Sequence, residues 1–540
     1  MKKNVTKKVL AGVLSASMMF GLTACGGNGN SNPTTPAPTT TAAPSNSGNS
    51  STPTEATTTA QAELAPLKLS VMLPSNTEHS KGDLPELDRF LQDISDYTNT
   101  DVEWIFYADD MYNERLTLLY TTGDLPSVMV AAKNAEFINA CENDFFWDVT
   151  DYIDNYSNLA TIPEAIRQNA GINGKMYGIP RYRTLARNGI GYRLDWLNNL
   201  GLKEPTTLDE FYDMLYAFTY NDPDGNGQND TYGFVLSSYT GPWDIMQLWF
   251  GAPNGWGIDD NGDLIPAHMT EEYDNALKWF RQIYSEGLVN PDFRDLPTED
   301  WDVLLRTGVG GCSADVIDRF RRNQTYFERE GISAETQLAG AVDAGFGMRC
   351  MPTSGHNNLL AISKTKVKTE DEMKRVMQFL NDMNDAAMLD LIEVGYEGVT
   401  YKINEDGFYV RLTEEEKTAL GVTTAAFNKG YNQVLASFST EEEKAKRIPG
   451  VPYEGLQAYE NQLYEENIQY CVTNYGASYT SATYIASGAE LDEILKNGRL
   501  DYITGVIDDV GLQSVKEQWL RSGGQKVIDE MNELYHAAGN

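Results

Sequence analysis

The stretch Leu67-Lys-Leu69-Ser-Val71-Met-Leu73 decides the fold, because its large apolar residues alternate with the period of two that predicts a β-strand. A helical apolar period follows over residues 87–97, and a second alternating run covers 102–106. Another helix is predicted over about 111–121, before the short apolar run 128–130. Strand, helix, strand, helix and strand with short joints predict a parallel sheet with right-handed crossovers.

Further helices continue this α/β pattern along the chain. Thr207 with Glu210, and Thr369 with Glu372, have the spacing of a capping box, in which two side chains satisfy free backbone groups at a helix start. The chain from about Glu490 onward is predicted to be mostly helical. An α/β fold class follows from the sequence.

The helix that begins after Thr207 leads into Asp222-Pro-Asp224-Gly-Asn226-Gly-Gln228-Asn-Asp230. Oxygen-bearing side chains stand at positions 1, 3, 5 and 9, Gly227 stands at position 6, and the Gln228 carbonyl is available at position 7, which is the ligand order of a calcium loop. We therefore predict a structural Ca²⁺ bound by Asp222, Asp224, Asn226, Gln228 and Asp230. Position 12 is Gly233 instead of the usual Glu, so a sixth or seventh ligand must come from elsewhere, for example from Thr231, a bidentate Asp222 or water. The alternative is an Asp- and Gly-rich turn without an ion.

The first residues have the pattern of a secretory leader. Four lysines precede an apolar run from Val9 to Leu22, which is too short for a spanning helix. Leu22-Thr-Ala-Cys25 resembles the bacterial lipobox, which predicts that Cys25 is diacylated and anchors the chain at the extracellular face of the membrane; the alternative is a cleaved leader with an unused cysteine. Residues 26–61 are rich in Ser, Thr, Pro and Asn and predict a disordered tether. The expected segments are a leader 1–24, a tether 25–62 and a folded part 63–540.

Composition limits the partners. The chain has 42 basic and 78 acidic residues, a net charge of -36, which disfavours nucleic acid and anionic lipid as ligands. Of the other cysteines, Cys141, Cys312, Cys350 and Cys471 show no C-x-x-C spacing and are expected to be small buried residues. No zinc-hydrolase, serine-hydrolase or phosphate-loop motif occurs. The sequence therefore predicts a protein that is not an enzyme.

Several motifs together resemble one family. They are Arg193-Leu-Asp195-Trp196-Leu197, Pro205-Thr-Thr207-Leu-Asp209-Glu210-Phe211, the loop from Asp222 to Gly233, Gly174–Pro180, Glu286–Phe293, Gly395–Tyr401 and Tyr502–Gly505. In this order they resemble the family 1 extracellular solute-binding lipoproteins of bacterial ABC importers, and within them the oligosaccharide-binding branch that includes alginate-binding proteins. The likeness covers everything after the tether.

The resemblance implies a two-lobed, periplasmic-binding-protein-like (type II) α/β fold with interleaved lobes and hinge crossovers. It implies lobe 1 over about 63–180 and 345–400, and lobe 2 over about 181–344 and 401–540. It also implies an oligosaccharide ligand, ABC permease subunits as partners, a structural calcium remote from the ligand, and a monomer.

A sugar site needs aromatic platforms surrounded by polar groups. Trp243, Trp249 and Trp256 lie on or beside loops and are candidate platforms, the alternative being core positions. Tyr396, Glu397 and Tyr401 follow a glycine-rich bend and are further candidates. Trp196, Trp279 and Trp301 lie on helical patterns and are expected in the core.

The densest basic cluster of the chain contains Arg181, Arg183, Arg187 and Arg193, with Tyr182 among them. Tyr182 and Arg183 are candidate ligand contacts, because arginine pairs bidentately with carboxylates such as those of a uronate sugar. The alternative is that the arginines neutralise neighbouring Asp and Glu.

Two other functions share several of these features. A surface-anchored polysaccharide hydrolase or lyase would have the same anchor, calcium and aromatic subsites. A sugar sensor would bind without transport. The expected function is a binding lipoprotein that captures an oligosaccharide and passes it to a permease.

Overall fold

A computed structural model describes residues 65–75, 86–421, 428–436 and 455–539. The predicted leader, the tether and Cys25 lie outside the described residues. The strands are β1 (Leu67–Pro74), β2 (Thr100–Tyr107), β3 (Val128–Ala131), β4 (Ile179–Tyr182), β5 (Asn188–Arg193), β6 (Tyr232–Phe234), β7 (Trp256–Ile258), β8 (Leu264–Pro266), β9 (Gly310–Val316), β10 (Thr336–Ala339), β11 (His356–Ile362), β12 (Tyr401–Ile403) and β13 (Tyr409–Arg411).

The α-helices surround two larger sheets. They are α1 (Leu87–Thr98), α2 (Asp109–Thr122), α3 (Ala135–Glu142), α4 (Glu164–Ala170), α5 (Leu194–Asn199), α6 (Leu208–Tyr220), α7 (Gly241–Gln247), α8 (Glu271–Ser285), α9 (Trp301–Arg306), α10 (Asp318–Glu330), α11 (Glu370–Asp382), α12 (Ala386–Glu393), α13 (Glu414–Leu420), α14 (Asn428–Tyr431), α15 (Gly455–Asn467), α16 (Ala482–Ile503), α17 (Asp509–Trp519) and α18 (Gln525–Ala537). Both predicted capping boxes are formed, at the starts of α6 and α11.

The first sheet has the strand order β2-β1-β3-β11-β4. β1 pairs in parallel with β2 and β3, so the prediction of a parallel sheet from the opening stretch is confirmed. β11 pairs antiparallel to both β3 and β4, although it follows β4 by more than 170 residues in the chain. Its insertion makes the sheet mixed, which local periodicity does not reveal.

The core of the first lobe surrounds this sheet and combines distant parts of the chain. It contains buried residues from Leu69 to Ile179, from Leu359 to Ile392 and from Tyr431 to Ala436. The expected division placed 401–540 in the second lobe, but the short segment Tyr431–Ala436 packs in the first. Tyr431 lies edge-to-face against Phe90 and Phe106, which fixes this segment in the first core.

The second sheet has the order β10-β5-β9-β6 and a core of its own. β5 pairs antiparallel with β9 and β10, and β6 pairs in parallel with β9. Helices α6 and α8 bury their apolar faces in this core. Two sheets with separate cores form the expected two-lobed α/β fold.

The lobes are joined where the chain passes between β4 and β5 and returns between β10 and β11. These crossings lie side by side, because the Arg183 N–H donates to the Gly355 carbonyl at 2.9 Å and the Thr353 N–H donates to the Leu185 carbonyl at 2.8 Å. The predicted crossovers are therefore present between the lobes.

The last three helices pack against the second lobe and the β7–β8 hairpin. Lys516 of α17 pairs with Asp274 of α8 at 2.6 Å, and Trp519 and Met531 are buried against Leu264. Within the part of the chain that the structure describes, no helix combines the length and apolar character needed to cross a bilayer.

Candidate functional site

Two sheet edges meet at the crossings between the lobes. β1, β2, β3 and β4 run in one direction, so their carboxyl ends lie together, and β11 begins at the same edge. In the second sheet, β5 begins and β6, β9 and β10 end at one edge. The crossings run from the first of these edges to the second and back. Ligands of open α/β sheets bind outside the carboxyl ends of strands, so we take the region between the two edges as the candidate site and call it the crevice.

We use the term first edge for the residues at the carboxyl ends of the parallel strands of the first sheet. The second edge denotes the residues at the end of the second sheet where β5 begins and β6, β9 and β10 end. The first edge contains Lys133, Arg181, Tyr182, Arg183 and His356. The second edge contains Arg187, Tyr239, Asp315, Asp318 and Arg319.

Among the residues that the structure describes, the positive side chains of the first edge have no carboxylate partner. Arg181 is buried; one terminal nitrogen donates to the Asn357 carbonyl at 3.1 Å, another to the Gln433 side chain, and its Nε is buried with no acceptor in the described structure. Burial and the nearby Arg183 lower the pKa of Arg181 to about 10. The Arg183 side chain is exposed, and partial desolvation together with Arg187 lowers its pKa.

Lys133 follows β3 directly and completes this positive edge. Its ammonium donates to the Asn169 carbonyl at 3.1 Å and to the Ala477 carbonyl at 2.8 Å. Burial lowers the pKa of Lys133 to about 8. Burial, with a contribution from Lys133, also lowers the pKa of the neighbouring His356 to about 4, so this imidazole is neutral near pH 7.

The second edge is also charged, but its arginines are paired. Arg187 Nη2 lies 2.7 Å from Asp318, and Arg322 pairs with the same carboxylate. Arg319 contacts Asp315 at 2.6 Å and lies 3.9 Å above the Trp301 ring. Of the basic cluster predicted in the sequence, Arg187 is therefore neutralised by an acid, and Arg193 likewise pairs with Asp195, with 2.8 Å between Nε and Oδ1.

Tyr239 supplies an aromatic face to the second edge. It follows β6, is 47% exposed and packs at a ring-centroid distance of 6.2 Å from Trp301. Gly241 makes room for the ring, because a Cβ at that position would lie 2.3 Å from it. Neither Lys133 nor Tyr239 was predicted as a contact. The available signal was position: each lies within five residues of the end of a short apolar strand.

The structure places Trp243 and Trp249 in the second core, which corrects the expectation that they are ligand platforms. They are 1% and 0% exposed. The Trp243 ring packs against Phe280 at 4.8 Å, and the Trp249 ring packs edge-to-face against Phe211 at 5.5 Å. Their rings are enclosed by apolar neighbours, so no face is open to a sugar. Trp196 and Trp301 are in the core as expected, and Trp279 is partly buried against it.

Trp256 is partly buried and lines a cavity of roughly 680 Å³ together with Lys133. The cavity lies between the start of α3 and the helices α16 and α18, and its other aromatic residues are His268, Tyr479, Tyr484 and Trp519. Trp256 and Lys133 are thus brought to one cavity, while Tyr182 and Arg183 lie farther along the first edge.

Tyr396, Glu397 and Tyr401 lie elsewhere. Tyr396 donates a hydrogen bond to Asp93 in α1, and Arg89 lies 3.9 Å above its ring. Tyr401 lines a separate groove of roughly 690 Å³ with Asp93, and Glu397 forms a backbone bridge to Tyr401. Asp93 is in the second half of α1, which runs from the carboxyl end of β1 back to the start of β2 and so leads away from the first edge. Tyr396, Glu397 and Tyr401 are therefore not brought together with Tyr182 and Arg183.

The predicted calcium loop forms a compact turn in which Gly225 and Gly227 have φ angles of 70° and 81°. Asp222 accepts from the Gly227 N–H at 2.9 Å, yet its Oδ1 is buried with no hydrogen bond. The Asn226 amide nitrogen lies 3.0 Å from Asp224 and 3.1 Å from Asp230. Carboxylate and amide oxygens suit a hard cation as ligands. The hydrogens of the Asn226 side-chain amide lie between the Asp224 and Asp230 carboxylates, where positive charge is favourable. No cluster of three or more metal-ligating acidic, histidine or cysteine side chains is found among the described residues.

Gly233, at position 12 of this loop, has a steric cause. A Cβ there would lie 2.1 Å from the Leu215 carbonyl oxygen of α6, so no side chain fits. The buried Thr231 hydroxyl donates to the Phe218 carbonyl at 2.7 Å, which holds this side chain against the end of α6.

Comparisons with known proteins agree with this architecture. Lipoprotein LipO of Bacillus subtilis (strain 168) is 34% identical over 456 residues, which cover 83% of this chain and 89% of LipO. The polygalacturonan/rhamnogalacturonan-binding protein YtcQ of the same organism is 30% identical over 460 residues, covering 84% of this chain and 89% of YtcQ.

Solved structures share the fold. An extracellular solute-binding protein from Bifidobacterium longum subsp. infantis superposes with a TM-score of 0.63 at 16% identity, covering 87% of this chain and 98% of that chain. The ABC-transporter substrate binding protein FusA of Streptococcus pneumoniae, as an EF-hand mutant in complex with fructo-nystose, superposes with a TM-score of 0.58 at 18% identity, covering 87% and 99%.

A family profile described as bacterial extracellular solute-binding protein matches residues 88–409. With the two-lobed fold, the crevice between the sheet edges and the similarity to LipO and YtcQ, this match leads to one conclusion: the chain belongs to the bacterial extracellular solute-binding protein family.

Proposed function

We propose that this protein captures an oligosaccharide in the crevice between the first and second edges and delivers it unchanged to the permease of an ABC importer. The two cores would act as lobes that close over the sugar about the paired crossings. Family membership supports this function, as do the names of YtcQ, which binds polygalacturonan, and FusA, an ABC-transporter protein crystallised with an oligosaccharide.

One observation carries the proposal. The edges collect an exposed tyrosine, a partly buried tyrosine and polar side chains at the place where both crossings meet. Sugars present apolar C–H faces and hydroxyl rims, which suit an aromatic ring bordered by hydrogen-bonding groups. In this proposal Tyr239 and Tyr182 provide the platforms, Arg183 lies at the rim, and Trp256 extends the site along the cavity beside Lys133.

A thermal-shift screen of the purified protein against oligosaccharides, followed by calorimetry on those that stabilise it, tests the function. We expect one class of oligosaccharide to bind at a 1:1 ratio and to be recovered intact by chromatography after long incubation. Product formation with repeated turnover would instead show a hydrolase or lyase. In the producing organism, deletion of the gene should abolish uptake of the bound sugar, whereas unchanged uptake would indicate a sensor.

Attachment through Cys25 is part of the proposal, supported by the lipobox pattern and by the name of Lipoprotein LipO. A diacylated cysteine supplies two acyl chains, which is enough for lasting attachment. With wild-type protein in the membrane fraction and labelled by radioactive palmitate, we expect Cys25→Ser to lose the label. A Cys25→Ser variant that stays in the membrane fraction and keeps the palmitate label would disprove the anchor.

We also propose a structural calcium held by Asp222, Asp224, Asn226, Gln228 and Asp230. The buried Asp222 oxygen without a hydrogen bond supports it, and so does the EF-hand of FusA. With the affinity of extracellular calcium sites, 1 mM Ca²⁺ should add about 0.4 to 1.4 kcal/mol to the free energy of unfolding. Chelator should remove this increment in the wild type and have no effect on Asp224→Ala. If chelator changes the stability of both proteins equally, the loop does not bind calcium and the proposal is wrong.

A further inference from the structure

We infer that the oligosaccharide bound by this protein is anionic, and that Lys133, Arg181 and Arg183 at the first edge receive its charge. The inference rests on the proposed function, because it names the class of ligand for the same crevice. Anionic sugars carry either uronic carboxylates or sulfate esters, and the shared chemistry is a planar or tetrahedral oxyanion that accepts hydrogen bonds.

The first observation is that these three cations have no carboxylate partner among the described residues. The chain has 78 acidic residues against 42 basic ones, so a positive side chain meets a carboxylate easily. Yet among the described residues no carboxylate pairs with Lys133, Arg181 or Arg183, whose recorded side-chain hydrogen bonds all go to neutral oxygens.

The second observation is that two of these three charges, those of Arg181 and Lys133, are largely withdrawn from water. Arg181 is buried, its pKa is lowered by burial and by Arg183, and the pKa of Lys133 is lowered by burial alone. A buried charge without a partner costs several kcal/mol. Such an arrangement is stable only where its cost is offset elsewhere, and an anionic ligand offsets it on binding.

The three cations have different positions in this arrangement. Arg183 is exposed at the start of the first crossing, so its guanidinium can contact a ligand directly. Lys133 borders the cavity shared with Trp256, and two of its three N–H groups are used by Asn169 and Ala477. Arg181 is buried, and its charge raises the potential of the edge. Arginine binds oxyanions through a bidentate fork, which suits both carboxylate and sulfate.

The second edge shows that basic residues in this crevice are not all left without an acidic partner. Arg187 and Arg319 both have carboxylate partners within 2.7 Å. The same crevice therefore has one side that is already neutralised and one side that is open to an anion.

The test uses probes that differ only in charge. Calorimetry compares tetragalacturonate and a tetrasaccharide of alginate with the methyl esters of both, and compares a sulfated oligosaccharide with its desulfated form. We expect at least one anionic probe to bind at least tenfold more tightly than its neutral counterpart. Preference for the carboxylate probes identifies a uronate ligand, and preference for the sulfated probe identifies a sulfate ester.

Substitutions locate the charge recognition. Arg183→Gln should weaken binding of the anionic probe by tenfold or more and leave the neutral ester within twofold, because a charge-assisted hydrogen bond is lost. Lys133→Gln should act in the same direction, and Lys133→Arg should recover part of the loss. Arg329→Gln, at an exposed pair with Glu330 on α10, is the matched control for net charge and should change neither affinity.

Three results separate this inference from the proposed function. If neutral oligosaccharides bind as tightly as anionic ones, the inference is wrong and the proposed function stands. If Arg183→Gln weakens both forms equally, the residue contacts the sugar but does not recognise charge, and the inference again fails. If no oligosaccharide of a broad neutral and anionic panel binds the folded protein, both are wrong.

Discussion

The two edges that border the crevice hold similar numbers of basic residues and treat them in opposite ways. On the second edge, Arg187 and Arg319 are paired with Asp318 and Asp315. On the first edge, Arg181 and Lys133 are desolvated and bonded only to neutral oxygens within the described structure. On the second edge, each arginine charge is compensated by a carboxylate. On the first edge, the desolvation of uncompensated charges lowers the free energy of unfolding and, in our inference, leaves a positive potential for a ligand.

The largest effect is expected where a pair is broken. Asp318 is buried and accepts from both Arg187 and Arg322. Asp318→Asn should lower the free energy of unfolding by about 3 to 5 kcal/mol, because the partly buried Arg187 guanidinium loses its counter-charge. Urea denaturation measures this change. Glu330→Gln, in an exposed pair on the same helix, is the control and should have little effect. A loss below about 1 kcal/mol for Asp318→Asn would remove the distinction between the edges.

The second effect concerns pH at Lys133. Burial lowers the pKa of Lys133 to about 8, below its unfolded value of about 10.4. Between these pH values the unfolded chain binds more protons than the folded chain, so this residue makes wild-type stability rise with pH, and its cost is fully present below pH 8. The free energy of unfolding of Lys133→Met, measured relative to that of the wild type, should therefore fall by about 2 kcal/mol between pH 7 and pH 10, after allowance for residual solvent access.

Urea denaturation of both proteins across this pH range measures the difference. Lys496→Met, at an exposed position of α16, controls for the loss of one positive charge from the whole protein. A constant difference between Lys133→Met and wild type would mean that Lys133 is not desolvated, and the first edge would lose one of its two buried charges.

The smallest effect is expected for Arg181→Gln. The substitution removes two hydrogen bonds, to Asn357 and Gln433, and also removes a buried charge that has no carboxylate partner in the described part of the chain. These contributions oppose each other, so the free energy of unfolding should change by no more than about 1 kcal/mol. Chemical denaturation at pH 7 beside Asp318→Asn gives the direct comparison. A loss as large as that of Asp318→Asn would show that Arg181 is a structural residue.

Much of the fold could be predicted because it is written in local patterns. The alternation from Leu67 to Leu73 and the helical period after Leu87 predicted β1 and α1, and both capping boxes are formed where the spacing placed them. The antiparallel β11 and the packing of Tyr431–Ala436 in the first core could not be predicted in this way, since their partners lie far away in the chain.

The candidate site shows the same division. A tryptophan beside a loop is equally compatible with a core and with a platform, and only the rings of Phe280 and Phe211 assign Trp243 and Trp249 to the core. Likewise, Gly233 breaks the calcium-loop pattern for a reason that no spacing reveals, the carbonyl of Leu215 on the neighbouring helix.

The sequence by itself determined the α/β class, the leader and loop motifs and the presence of a basic cluster, because these depend on the order and period of nearby residues. Only the tertiary structure decided which of those basic residues have no acidic partner among the residues it describes. Charge pairing depends on distances of a few ångströms between residues that the chain order does not bring together, such as Arg187 with Asp318, and on the burial that makes an unpaired charge costly.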